Sequence, residues 1–307
     1  MKLSLGINLG YAVNKYIEPE VWARITAREI GLHYVQFVAD LLNPSLPDEY
    51  IASQIKRISA ACAEYDITVT SMFTSAFTRV NHFLHPDREA RAYWLDWFKS
   101  FADIGAKLGA KSIGSHFGIF SFDAFEKRYD ELLEEAVYNW QQLSAYAAEL
   151  GYEYLLFEPM SVDREMGNTV AKSMQLMDMV NRNSAIPLKC CLDVGHAPDP
   201  SERDPYPWIE QLGSASPVIH LQQTVLHKSN HWPFIPEYNE QGIVKPAKVL
   251  DALQKSGAKE AALLFEISHR EHHDTDFRII QDLKESSDYW KEALKNYASK
   301  SGSITWN

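Results

Sequence analysis

The sequence predicts an α/β fold, the closed (β/α)8 barrel of the TIM type, as a single domain over residues 1–307. Three observations predict it. Short apolar runs alternate with longer amphipathic stretches about eight times along the chain. Strands alternating with helices imply a parallel sheet, and eight such units imply closure. The length suits a large α/β domain with a sizeable core, and no linker, low-complexity run or charge block marks a place to cut the chain.

The elements follow in order. "LSLGIN" (3–8) reads as the first strand and 18–30 as a helix; "YVQFVA" (34–39) is the second strand, before a helix at 47–65. "ITVTSMFT" (67–74) precedes a helix at 88–108 rich in tryptophan and phenylalanine, and "SIGSHF" (112–117) precedes a long helix at 122–150 that contains a break. "YLLFEP" (154–159) leads to a helix at 168–183, and "LKCCLDVGH" (188–196) to a short one at 205–212. "VIHLQQ" (218–223) is followed by a helix at 246–256, and "AALLFEIS" (261–268) by the last helix, 276–297. Two connections, 75–87 and 224–245, are long and read as irregular. Both follow strands, which places them on the catalytic face of a barrel, and long loops in compact domains are often functional.

Composition narrows the function. The chain is 46% hydrophobic and 23% charged, with a formal net charge of -11. Nucleic-acid binding needs a dense basic surface, so it is not expected. No apolar run approaches the roughly 20 residues of a membrane span. The start, "MKLSLGINLG", reads as a strand and not as a signal peptide. Cys62, Cys190 and Cys191 make no disulfide framework and no CxxC pair, which suggests a cytoplasmic location and no thiolate zinc site. The aromatic-rich surface helices are compatible with a homodimer.

Four polar residues finish the last four predicted strands: Glu158, Asp193, His220 and Glu266. Taken singly, a strand-end glutamate is more often a helix cap or salt-bridge partner, and a buried histidine a hydrogen-bonded core residue. Together, on consecutive strands, three carboxylates and an imidazole would converge and repel. A divalent cation resolves that conflict. Oxygen-rich ligands with one nitrogen suit Mn²⁺ best, with Mg²⁺ or Co²⁺ as alternatives.

The set resembles the xylose isomerase-like sugar isomerase and epimerase superfamily of TIM barrels. Its single-metal branch carries Glu, Asp, His and Glu on the last four strands, matching Glu158, Asp193, His220 and Glu266. Through "RVNHFLHPDRE" (79–89), "FEPMSVDREMGNT" (157–169), "PVIHLQQTVLHKSNHWPF" (217–234) and "LFEISHRE" (264–271), the chain resembles most the tetrulose-phosphate epimerases of erythritol breakdown. The resemblance implies a metal-dependent ketose-phosphate 3-epimerase that interconverts D- and L-erythrulose phosphate through a cis-enediolate. Glu158 and Glu266 would then face each other across the sugar, one as base and one as acid, which gives a physical reason for the repeated "LLFE".

The resemblance also implies that His196, in "LDVGH", binds a substrate oxygen. His116, at the end of the fourth strand, either contacts the substrate, orients Glu158 or makes a structural hydrogen bond. Gln222 shares a predicted strand face with His220 and could bind the substrate terminus. Free-ketose epimerases often place an arginine beyond the metal histidine, where this chain has Gln222, Gln223 and Lys228. Arg79, His82, Lys228 and His231 lie in the two long loops and offer cations for a phosphate, or are ordinary solvated loop groups. Phe77, Phe83 and Trp232 would exclude water or pack between copies. Arg164 and Arg270 are further candidates, and "HREHHD" (269–274) reads as a loop with solvated histidines.

Three other activities compete on one scaffold: an aldose-ketose isomerase, a free-ketose 3-epimerase and a polyol dehydratase. A DNA-repair endonuclease would need a basic face and several metal histidines. A sugar-binding barrel without catalysis would not require two opposed bases.

Overall fold

The computed structural model describes residues 1–75, 78–196, 204–269 and 278–307. Phe77, Arg270 and residues 271–274 of the histidine-rich stretch lie outside them. The strands are β1 (Lys2–Asn8), β2 (Tyr34–Val38), β3 (Thr68–Phe73), β4 (Ser112–His116), β5 (Tyr154–Glu158), β6 (Leu188–Asp193), β7 (Val218–Leu221), β8 (Glu260–Phe265) and a short β9 (Thr305–Trp306). They form one sheet in the order β2-β3-β4-β5-β6-β7-β8-β1-β9, and β2 also pairs with β1. That extra pairing closes the eight predicted strands into a (β/α)8 barrel. β9 was not predicted; it is only two residues long and pairs with β1.

By internal packing the chain divides into two compact units. One comprises Met1–Gln36, Arg57–Thr68 and Leu192–Asn307, the other Phe37–Lys56 and Val69–Cys191. In the first unit β1 pairs in parallel with β8, Leu5 opposite Leu263 and Ile7 opposite Phe265, and β7 pairs with β8, His220 opposite Leu264. The helices are α1 (Pro19–Arg24), continued by a π-helical turn to Ile30, then α7 (Pro205–Leu212), α8 (Pro236–Gln241), α9 (Pro246–Lys255) and α10 (Ile279–Ser301). The predicted helix 18–30 therefore changes its winding partway, and Gly31 ends it in the left-handed conformation at φ 75°.

In the second unit β4 pairs with β5 along its length, His116 opposite Glu158, and β5 pairs with β6, Phe157 opposite Cys190. Its helices are α3 (Arg88–Lys107), α4 (Phe122–Lys127), α5 (Tyr129–Glu149) and α6 (Val170–Asn181), while α2 (Asp48–Glu64) runs across the division of the chain. Asp87 caps α3 by accepting from the amides of Glu89 and Ala90. The predicted break in 122–150 falls at Arg128, whose backbone leaves the helical region.

The loop 224–245 is more ordered than its composition suggests. An antiparallel bridge joins Gln223 to Trp232, and α8 occupies Pro236–Gln241. Among the described residues no helix is long and apolar enough to cross a membrane. Among the described residues Cys62, Cys190 and Cys191 form no disulfide.

Candidate active site

His220, Asp193 and Glu266 come together in the first unit. His220 is buried completely on β7. Its Nε2–H donates to Gln36 Oε1 at 2.7 Å, and the same oxygen accepts from Asn8 Nδ2 at 2.7 Å. The proton is thereby fixed on Nε2, leaving Nδ1 as the atom that faces Glu266 Oε2 at 3.2 Å. His220 Nδ1 and Glu266 Oε2 are two donor atoms that a cation could share. Asn8 and Gln36 were not singled out from sequence, although a glutamine inside the apolar run "YVQFV" is a legible signal.

Asp193 ends β6 and is 2% exposed. Its Oδ1 accepts from the Gly195 amide at 2.5 Å and from Gln222 Nε2 at 2.8 Å. The tight turn needs glycine at 195, because a Cβ there would lie 2.4 Å from Gln222 Cδ. Glu266 follows β8 directly, its amide donating to Leu221 O at 2.9 Å, which extends the β7–β8 ladder by one bond. Asp193, His220 and Glu266 each present a ligand atom within 4.8 Å of the others, and so do Asp193, His196 and His231. Two carboxylates and an imidazole form a donor set that fits a hard divalent cation.

The remaining predicted residues of this unit have definite places. His196 is buried, and its ring lies edge-on to that of His231 with centroids 5.8 Å apart. Gln222 is fully buried and bonded to Asp193, Ser229 and the His231 amide. His231 reaches Glu266 and not a loop surface: its Nδ1 is 3.0 Å from Glu266 O. Lys228 is exposed. Trp232 stacks on Tyr238 at 4.6 Å, and both line a cavity of about 550 Å³ with Ser229, His231, His269 and Arg278. His269, the one described member of the histidine-rich stretch, lies 3.4 Å from Asp282.

In the second unit Glu158 ends β5 and is 7% exposed. His82 is not a loop cation. It is fully buried against Phe83, Phe98 and His116; Nδ1 accepts from the Phe83 amide and Nε2 donates to His116 O. Burial first, then repulsion from His116, pushes its pKa well down, so it is neutral and structural. Phe83 is core as well, packed on Phe98 and Trp140, which removes it from the set of loop aromatics. Arg79 pairs with the buried carboxylate of Glu165, which engages the guanidinium expected for phosphate. Arg164 donates to Phe120 O and lies over the Phe122 ring.

His116 takes the structural option: Nε2 donates to Val80 O at 2.8 Å and Nδ1 accepts from Ser115 at 3.0 Å. Burial pushes its pKa down to about 4. Below the unperturbed value of 6.5 the unfolded chain takes up a proton that the folded chain refuses until about pH 4. Stability is therefore fully present above that window and falls on acidification through it, by about 3 kcal/mol for this one group. Denaturant unfolding at several pH values checks this, and His116→Gln should flatten the slope.

A parallel barrel carrying carboxylates and an oriented imidazole at its strand ends is the architecture of a barrel enzyme for acid–base or metal-assisted chemistry. A family model, the xylose isomerase-like TIM barrel, matches residues 26–299, and the chain belongs to that family. It is 35% identical over 297 residues to the D-erythrulose 1-phosphate 3-epimerase of Brucella abortus (strain 2308), covering 94% of this chain and 96% of that protein. That relative is an epimerase, which puts the chain among the isomerase-class enzymes of the superfamily. Of solved structures, a Rhodospirillum rubrum protein provisionally assigned as a xylose isomerase matches with TM-score 0.85 and 27% identity, over 94% of this chain and 99% of that one. The D-psicose 3-epimerase of Clostridium cellulolyticum H10 matches with TM-score 0.70 and 16% identity over 97% and 99%, a likeness of fold.

Proposed function

We propose that the chain is a metal-dependent ketose-phosphate 3-epimerase that interconverts D- and L-erythrulose 1-phosphate, acting as one catalytic domain in the cytoplasm. The observation that carries the substrate is the 35% identity, over nearly the whole of both chains, to an epimerase of that sugar phosphate. The geometry of Asp193, His220 and Glu266 supports the chemistry.

These three residues would hold one divalent cation, with Glu158 completing the set from β5. Strands β5, β6, β7 and β8 are consecutive in the sheet, so each ligand would come from the end of one of four neighbours. Mn²⁺ suits the donors, and Mg²⁺ or Co²⁺ would serve. When bound, the cation supplies positive charge for the oxygens on C2 and C3 and so makes the C3 proton more acidic.

The protein's own residues do the rest. One of Glu158 and Glu266 takes the proton from C3, and the other returns one to the opposite face. Which carboxylate acts first depends on the enantiomer bound. Gln36 keeps the His220 proton on Nε2, and Gln222 keeps Asp193 turned inward. His196 supplies a hydrogen bond to a sugar oxygen. Lys228 offers an exposed ammonium for the phosphate. Trp232, stacked on Tyr238, gives the loop after β7 an apolar wall against water.

Product analysis tests the reading against its nearest rival. Incubation with D-erythrulose 1-phosphate should yield its L enantiomer with the ketone still at C2. An aldose phosphate would make the protein an aldose-ketose isomerase instead, and turnover of unphosphorylated ketoses alone would make it a free-ketose epimerase.

A further inference from the structure

We propose that His231 is a positioning residue that fixes Glu266, and that Gln222 sets His231 in place by tying its loop to Asp193. The inference rests on the proposed function for the task it gives Glu266. His231 lies where the loop leaving β7 returns beside the strand, one residue before the bridge of Trp232 to Gln223. Its φ is 50°, a left-handed conformation that non-glycine residues seldom adopt and that needs surrounding contacts to hold it.

Three bonds supply those contacts. The His231 amide donates to Gln222 Oε1 at 2.6 Å, and its carbonyl accepts from the Ser268 amide at 3.0 Å. The ring Nδ1 donates to the backbone carbonyl of Glu266 at 3.0 Å. A carbonyl oxygen can only accept, so the ring proton belongs on Nδ1. Nε2 is then the acceptor, with Ser229 Oγ at 3.1 Å and Gln222 Nε2 at 3.3 Å in reach. The same Nδ1 stands 3.7 Å from Glu266 Oε2, so the ring flanks the carboxylate as well as holding its backbone.

Gln222 is the hub. Its amide nitrogen donates to Asp193 Oδ1 at 2.8 Å while its oxygen holds the His231 backbone. Asp193, Gln222, His231 and Glu266 thus form one chain of hydrogen bonds across the ends of β6, β7 and β8. Glu266 follows β8, its amide held by Leu221 O on one side and its carbonyl by the His231 ring on the other. The bond from His231 fixes the peptide plane from which its carboxylate projects.

Two substitutions separate positioning from bulk. In His231→Asn the amide nitrogen falls near the position of Nδ1 and can still donate to Glu266 O; in His231→Gln it reaches toward Nε2 instead. With folding checked by circular dichroism, His231→Gln should lose about tenfold to a hundredfold in kcat, with KM changed by less than about threefold, the range for an outer partner of a site residue. His231→Asn should recover most of that loss. An Asn variant no better than the Gln variant, or a loss confined to KM, would overturn the proposal. Long-range ¹H–¹⁵N spectra of protein labelled at histidine supply a readout that needs no turnover. The Nδ1–H form of His231 is expected, and the Nε2–H form would overturn the proposal. If wild-type protein epimerises no erythrulose phosphate, the proposed function falls, while the tautomer still decides the role of His231.

Discussion

Replacing Glu266 by glutamine should lower kcat for C3 epimerisation by about 10²–10⁴-fold, the range for removing a positioned acid–base group. The substitution keeps the shape of the side chain and removes the ability to hold or release the proton. Glu158→Gln should cost a similar factor, since each carboxylate serves one face of the same carbon. The double substitution should be far less damaging than the product of the two single effects, because residues acting in one reaction are not additive. Steady-state kinetics with a parallel metal titration checks this, the titration separating lost proton transfer from lost ligation. A Glu266→Gln enzyme within about threefold of wild type would contradict the assignment.

Stripping divalent cations should abolish turnover, and returning Mn²⁺ should restore it. The same treatment should lower Tm, because Asp193 and His220 are buried and bring their ligand atoms within 4.8 Å of the partly exposed Glu266 carboxylate. A cation that binds only the folded chain stabilises it by about 2.7 kcal/mol at a hundred times its Kd. His220→Ala should remove both responses. It takes away the nitrogen donor and leaves Gln36 Oε1, at present bonded to His220 Nε2 and Asn8, with one partner fewer in the interior. Thermal unfolding of both proteins with and without Mn²⁺ is the measurement. A wild-type Tm indifferent to the metal would contradict the account.

The barrel was legible because its signal is repeated. Apolar runs recur along the chain, some closed by a polar residue as in "YLLFE" and "CCLD", and the following helix restarts the pattern. The positions of Asp193, His220 and Glu266 at or beside strand ends follow from the ladder, which the bonds of Val194 to His220 and of Glu266 to Leu221 continue. Loop roles were not legible. His82 and Arg79 looked alike as cations in a loop, yet one is buried in an aromatic cluster and the other is paired with Glu165. Nothing local in the sequence distinguishes them, because the partners Phe98, His116 and Glu165 come from other segments. Gln222 was placed on the correct face by strand alternation, but its hydrogen-bond partners depend on how the 224–231 loop folds back. The π-helical turn at Ile25–Ile30 likewise reads as ordinary helix, since a winding change leaves the apolar residues in place.

The central claim is proton removal at C3 by one carboxylate and return by another on the opposite face. The measurement that tests it most directly is deuterium incorporation from D₂O during the first few per cent of conversion of D-erythrulose 1-phosphate, with the sugar isolated and read by mass spectrometry and proton NMR. The account predicts L-erythrulose 1-phosphate carrying solvent deuterium at C3, its C1 protons untouched and its ketone at C2. Product that keeps the original C3 proton while deuterium enters at C1 or C2 would contradict it.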